Sequence, residues 1–225
     1  MNPLLVFDLD GTLIDSAADI AKAVNRTLQL YGKPTLPDAT IVAHIGEGLK
    51  KLISDFFIND NLTSAQQADL EKTFLRLYEE EMLGHTQIYP GVENFLSSYP
   101  GPIAIVTNKN EKPARKIIEH LGLQRFPWIK IYGADSLAER KPSPLPLQTV
   151  MAVAGHTPLD TFMIGDGTPD MVSAQRAGVP SIAIGFGYTQ IDILNQYKPA
   201  AILHHYSEMP DLLTRIRQKK AEGAL

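Results

Sequence analysis

At 225 residues, 44% of them hydrophobic, the chain is long enough for one large domain or a medium domain carrying a smaller one, and it needs no covalent staple. It has no cysteine, which excludes a disulfide framework, a thiolate metal site and a cysteine nucleophile and fits a reducing, cytoplasmic setting. A formal net charge of -4 with scattered lysines and arginines argues against a nucleic-acid partner, and no leader pattern or run near the ~20 apolar residues of a membrane span points to a membrane.

The first apolar run, residues 4–7, has the length of a buried strand and is followed by Asp8 and Asp10, two like charges at close spacing. Their repulsion and desolvation must be offset by a bound cation or by a chemical task. From residue 16 to residue 84 no strand-like run occurs. Amphipathic stretches at 17–31, 47–58 and 64–83 predict a helical insert that ends at Gly84. The turn YPG at 89–91 then starts a helix over 92–98. Beyond it, apolar runs at 103–106, 128–132, 162–164, 181–184 and 201–203 mostly alternate with helical segments at 113–121, 144–154, 168–177 and 207–219. This βαβα rhythm predicts an α/β fold, a doubly wound parallel sheet with a Rossmann-like core. Residues 1–15 and 85–225 would form the core domain, and residues 16–84 a helical cap inserted after the first strand.

In an open parallel sheet, ligands bind outside the carboxyl ends of the strands, so the residues just after each apolar run carry the information. Asp8 and Asp10 follow the first run, Thr107 and Asn108 the second, a loop leading to Lys141 the third, and Asp166 and Asp170 the fourth. Gathered carboxylates suit a hard divalent cation such as Mg²⁺, which also accepts phosphate oxygens. Thr107, Asn108 and Lys141 would serve the remaining phosphate oxygens, because phosphoryl transfer is catalysed mainly by positioning and charge neutralisation. Asp8 can then attack phosphorus, and Asp10 can protonate the leaving oxygen and later deprotonate water.

Four segments, DLDGTLIDS at 8–16, VTN at 106–108, RKPSP at 140–144 and GDGTPD at 165–170, resemble in order and spacing the four motifs of the haloacid dehalogenase-like phosphatases. KPSPLPL at 141–147, YPG and the Gly46-Glu47-Gly48 turn look most like the phosphoglycolate phosphatase group. The resemblance covers nearly the whole chain and implies a Mg²⁺-dependent phosphatase with a four-helix cap. By position it makes Asp8 the nucleophile and a metal ligand, Asp10 the acid/base with its carbonyl on the metal, Asp166 a further ligand and Asp170 a ligand or its support. Thr107 and Lys141 would bind the phosphoryl group, with Lys141 also pairing with Asp8. Gly167 departs from the serine usual in the family, which puts metal affinity in doubt. Dehalogenase relatives lack the second aspartate, so Asp10 favours phosphate chemistry, and Gly11-Thr12 looks more like the phosphatases than the mutases.

Each segment alone also has a plainer reading. Asp8 and Asp10 suit a strand-end turn, Thr107 and Asn108 a helix cap, Lys141 an exposed loop, and Thr168, Pro169 and Asp170 a helix start. In the insert, the amides after Gly46, Glu47 and Gly48 could hold an anion, or Glu47 could simply complement the helix dipole. If that turn faces the site, Glu47 would disfavour a second carboxylate on the substrate. The six histidines show no ligand spacing tied to the carboxylates and read as surface or packing residues, and Trp128 reads as core. The partner expected is a small phosphate ester, phosphoglycolate first, with a nucleotide or sugar phosphate, or a phosphomutase reaction, as alternatives. A signalling receiver domain also clusters aspartates, a threonine and a lysine, but the large insert and Asp10 oppose it. The chain is expected to be a monomer or homodimer.

Overall fold

The computed structural model describes residues 2–221. Its first strand, β1 (Leu4–Phe7), is buried at every position. Leu5 and Phe7 join one apolar cluster and Leu4 and Val6 the opposite one, as strand alternation requires when both faces are covered. A short strand β2 (Ile14–Asp15) leads into four helices: α1 (Ala17–Leu30), α2 (Asp38–Val42), α3 (Leu49–Phe56) and α4 (Ser64–Glu81). The chain returns through β3 (Gln87–Ile88) and α5 (Val92–Ser98) to β4 (Ile103–Val106), α6 (Glu111–His120) and β5 (Trp128–Tyr132). Then follow α7 (Leu145–Ala154), β6 (Thr161–Gly165), α8 (Thr168–Ala177), β7 (Ser181–Ile184), α9 (Ile191–Asn195), β8 (Ala201–Leu203) and α10 (Met209–Ala221).

Six strands form one sheet in the order β5-β4-β1-β6-β7-β8, every neighbouring pair parallel. All six expected apolar runs are strands of it. The chain steps from β1 to β4 and β5 on one side, then crosses back to β6, β7 and β8 on the other. β1 is therefore the switch point, where a crevice opens at the carboxyl ends. One face is covered by Phe95 of α5, Ile117 of α6 and Leu212 and Ile216 of α10, the other by Leu147 and Val150 of α7 and Ala174 of α8. Each fully buried branched side chain of this kind contributes about 1.5–3 kcal/mol. Trp128 is only half-buried, because β5 is an edge strand. Its ring meets Phe7 edge-on at 6.3 Å, and Nε1 donates to the Leu123 carbonyl at 2.8 Å.

In the helical segment, α1 packs on α2 and α4, and α3 packs on α4. α4 opens with a capping box: Gln66 N donates to Thr63 Oγ1 at 3.3 Å, and Thr63 N donates to Gln66 Oε1 at 2.9 Å. Its buried residues, Leu70, Phe74, Leu77 and Tyr78, keep the spacing of one helix face. α3 begins at Leu49 rather than at residue 47, because Gly48 takes φ +92°, a backbone state closed to an ordinary helical residue. The short α2 is the fourth helix that the family resemblance implied, though no amphipathic stretch in the sequence located it.

The antiparallel ribbon β2–β3, with Ile14 opposite Ile88 and Asp15 opposite Gln87, was not expected from the sequence. Two residues cannot display an alternating pattern. The ribbon joins the two connections between sheet and helices, and Asp19 reinforces it from the first turn of α1. Fully buried, Asp19 accepts from Thr86 N at 2.8 Å, Thr86 Oγ1 at 2.9 Å and His85 N at 2.9 Å, with His85 Nδ1 3.0 Å away. His85 is thus an exposed residue with a polar partner. No helix among the described residues is long and apolar enough to cross a membrane.

Candidate active site

Asp8 follows β1 directly, and its N–H donates to the Ile164 carbonyl of β6 at 2.9 Å. Thr107 and Asn108 follow β4, Asp166 follows β6, Asp170 lies in the first turn of α8, and Lys141 comes from the loop after β5. Asp8, Asp166 and Asp170 are buried, and each presents a carboxylate oxygen within 4.8 Å of the others. Lys141, 2% exposed, ties two of them together. Its Nζ donates to Asp170 Oδ1 and to the Val106 carbonyl, both at 2.6 Å, and lies 2.9 Å from Asp8 Oδ1. The last contact is a charge pair off hydrogen-bond alignment, so Asp8 Oδ1 keeps an unmet acceptor in a buried place.

Burial pulls the Lys141 ammonium down, but Asp170 and Asp8 outweigh it, so its pKa is raised and it stays charged. Burial drives the Asp166 carboxyl well up, and the Asp8 and Asp170 charges add to the rise. Tyr188 N, donating to Oδ2 at 2.8 Å, and Thr12 Oγ1, donating to Oδ1 at 3.2 Å, pull the other way. Burial raises Asp170 too, against the pull of Lys141. Three carboxyl groups facing one ammonium can all ionise together only if a further cation balances them.

Asp10 stands apart from this group, with each of its oxygens held. Ser16 Oγ makes a short hydrogen bond to Oδ1, and Lys109 Nζ lies 3.0 Å from Oδ2. Lys109, 3% exposed, also donates to the Tyr78 hydroxyl of α4 at 2.6 Å. Burial pulls Lys109 down, but Asp10 and Tyr78 keep its pKa raised. The Tyr188 hydroxyl accepts from Ser16 N at 2.8 Å and donates to Asp15 Oδ1 at 3.1 Å. One loop residue therefore touches both Asp166 and the β2 connection.

A narrow cleft opens over these groups, lined by Asp8, Asp10, Thr107, Asn108, Lys109 and Asp166 from below and by Ile45, Gly46, Gly48 and Leu49 from the helical segment. Thr107 Oγ1 accepts from Lys109 N at 3.2 Å, which leaves its hydroxyl hydrogen for the cleft. Asn108 Nδ2 donates to the Gly46 carbonyl at 3.1 Å and the Lys141 carbonyl at 3.0 Å. Gly48 lies so close that a Cβ there would stand 3.0 Å from the Asn108 carbonyl and from Arg140 Nη1. Glu47 lines a neighbouring groove with Asp55, Gly167 and Thr168 instead, and Lys141 does not line the cleft.

Residues 5–184 match the haloacid dehalogenase-like hydrolase family. The chain belongs to that family. A phosphoglycolate phosphatase of Neisseria meningitidis is 36% identical over 198 residues, 85% of this chain and 84% of the relative. One from Chromobacterium violaceum is also 36% identical, over 84% of this chain and 88% of its own. A crystal structure of a predicted phosphoglycolate phosphatase from Haemophilus somnus superposes with a TM-score of 0.85 at 26% identity, covering 94% of this chain and 97% of the other.

In this haloacid dehalogenase-like hydrolase the donor set fits a divalent cation. It is all oxygen, carries surplus negative charge and includes the unmet Asp8 oxygen. Glycines pack around it: a Cβ at Gly11 or Gly187 would fall 2.2 Å from an Asp166 side-chain atom. The sequence reading missed Lys109, Tyr78 and Tyr188 as residues of the site. Lys109 directly follows the VTN segment, so its position was the available signal. Tyr78 reads as one more apolar residue of a helix face, and nothing local marks it.

Proposed function

We propose that this hydrolase is a Mg²⁺-dependent phosphomonoesterase that works through an aspartyl-phosphate on Asp8, with phosphoglycolate as the leading substrate. The observation that carries the reading is the convergence of Asp8, Asp166 and Asp170 at the switch point of the sheet, with Asp10 two residues from Asp8 and outside the triad. Mg²⁺ held by those three carboxylates would neutralise charge on the phosphoryl oxygens. The substrate name rests on the two phosphoglycolate phosphatases at 36% identity. The groove holding Glu47 lies beside the cleft, so a two-carbon leaving group need not meet that charge.

An Asp8 carboxylate oxygen attacks phosphorus, and the ester P–O bond breaks as Asp10 gives its proton to the leaving oxygen. Water then attacks the phosphorus of the acyl phosphate and passes a proton back to Asp10. The bond to Asp8 breaks and inorganic phosphate is released. The Thr107 hydroxyl donates to a phosphoryl oxygen, and Lys141 holds Asp8 and Asp170 in place. Residues 16–84 act as a cap domain on a core of residues 1–15 and 85–225, keeping bulk water from the acyl phosphate. The Asn108 contact to Gly46 supports that closed arrangement. The enzyme works in the cytoplasm, as the cysteine-free composition suggests. The test is phosphate release from a panel of small esters with Mg²⁺ and with excess chelator. Metal-dependent turnover that Asp8→Asn abolishes, with the far-UV circular dichroism unchanged, is the expected result. Full activity in that variant would overturn the nucleophile assignment.

A further inference from the structure

Lys109 is a buried cation with no part in the aspartate triad, and among the described residues it is the one cation lining the cleft. Its Nζ sits between a core carboxylate and a helix of the inserted segment, 3.0 Å from Asp10 Oδ2 and 2.6 Å from the Tyr78 hydroxyl. The same Nζ lies 4.7 Å from the Tyr78 ring centroid. Tyr78 itself is completely buried, and burial pushes its pKa up to about 12, so it meets Lys109 as a neutral phenol. A hydrogen bond of 2.6 Å does not survive a shift of much more than half an ångström at good strength. Docking of α4 therefore supplies one of the two partners that hold the lysine in this position.

We propose that Lys109, anchored by Tyr78, is a positioning residue that aims the Asp10 carboxyl at the leaving oxygen, so that leaving-group protonation depends on the docking of α4. The inference rests on the phosphatase reading of the site. Asp10 must present one oxygen to the ester oxygen and then to water, and a carboxylate free to rotate would do so only part of the time. Ser16 fixes Oδ1 from the β2 side and Lys109 fixes Oδ2 from the β4 side, which together set the plane of the carboxyl. Tyr78 contributes by holding the lysine, and touches neither Asp10 nor the cleft surface.

Leaving groups separate this role from a general structural one. An alkoxide needs a proton as the P–O bond breaks, whereas p-nitrophenolate leaves without one. Wild type, Lys109→Met, Tyr78→Phe and the double variant would be assayed on phosphoglycolate, on glycerol 2-phosphate and on p-nitrophenyl phosphate. Lys109→Met should lower kcat on the two alkyl esters by about 10²–10⁴-fold, the range of general acid catalysis, and on the aryl ester by at least about tenfold less. Tyr78→Phe, which deletes one oxygen and keeps the ring, should show the same selectivity at smaller size. The double variant should be no worse than Lys109→Met, because the two side chains act in series. If Lys109→Met fails to fold, the Tyr78→Phe selectivity alone decides. Equal losses on all three esters would overturn the proposal. So would a loss confined to KM for phosphoglycolate, which would make Lys109 a carboxylate binder. If wild type turns over none of the esters, the phosphatase reading itself falls.

Discussion

Asp19 offers the sharpest link between a buried charge and the mechanics of this fold. Its carboxylate is completely buried and accepts hydrogen bonds from two backbone amides and a hydroxyl of residues 85 and 86, where the chain comes back from the helical segment. Asp19→Asn keeps the volume but turns one acceptor into a donor that faces donors. At least one charge-assisted bond is lost, at about 1.5–3 kcal/mol, and one buried N–H is stranded, at about 1–3 kcal/mol. The expected destabilisation is about 4 kcal/mol, a drop in Tm of roughly 8–16 °C for a chain of this size. Its pH dependence has a definite sign. Burial raises the Asp19 pKa, but the hydrogen bonds from His85 and Thr86 outweigh it and hold the carboxyl below 3.8. Its folded pKa is depressed, so its contribution is fully present above the unfolded value and disappears as pH falls through the folded one. Urea unfolding followed by circular dichroism and by Trp128 fluorescence should show a gap between wild type and variant at about pH 5 that closes below about pH 4. A variant within about 0.5 kcal/mol of wild type at about pH 5, or a gap that persists undiminished well below about pH 4, would refute the reasoning.

Other changes act on the carboxylate cluster. Gly187→Ala places a Cβ 2.2 Å from Asp166, so the Mg²⁺ concentration for half-maximal activity should rise about 10–100-fold in a metal titration, with part of the rate recovered at saturation. Mg²⁺ at about a hundred times its Kd should stabilise the protein by about 2.7 kcal/mol, roughly 5–11 °C in a thermal scan. Asp166→Asn should lose most of that shift. Lys141→Met removes the buried partner of Asp8 and Asp170, and should cost about 3–5 kcal/mol in urea unfolding with chelator present. Added Mg²⁺ should restore part of it, because the cation offsets the same charges.

Much of the fold was legible because a parallel sheet buries both faces of its strands, so 103–106 or 181–184 reads as a short apolar run even without alternation. The carboxylates were legible for a related reason: a charge directly after such a run has to lie at the carboxyl edge of the sheet. Lys141 could be placed at that edge, but not the geometry by which its ammonium is shared among Asp8, Asp170 and the Val106 carbonyl. What escaped depends on contacts between residues far apart in the chain and carries no periodicity. Asp19 reads as an ordinary first-turn helix acid, and only the fold brings residues 85 and 86 onto it. Tyr78 and Tyr188 look like packing residues until Lys109 and Asp166 are seen against them. The ribbon β2–β3 is too short to leave any pattern.

The place of β1 inside the sheet has a consequence for how the chain is made. Leu5 pairs with Ile103 on one edge and with Phe162 on the other, so β1, once made, is completed only when β6 follows. At roughly 5–20 residues per second that interval is on the order of ten to thirty seconds. The helical segment can assemble meanwhile from contacts that all lie within residues 17–81. The residues 4–7 cannot, and until β6 emerges they present an apolar strand with an unpaired edge. Nascent chains paused before residue 161 are therefore the form of this protein most in need of a chaperone.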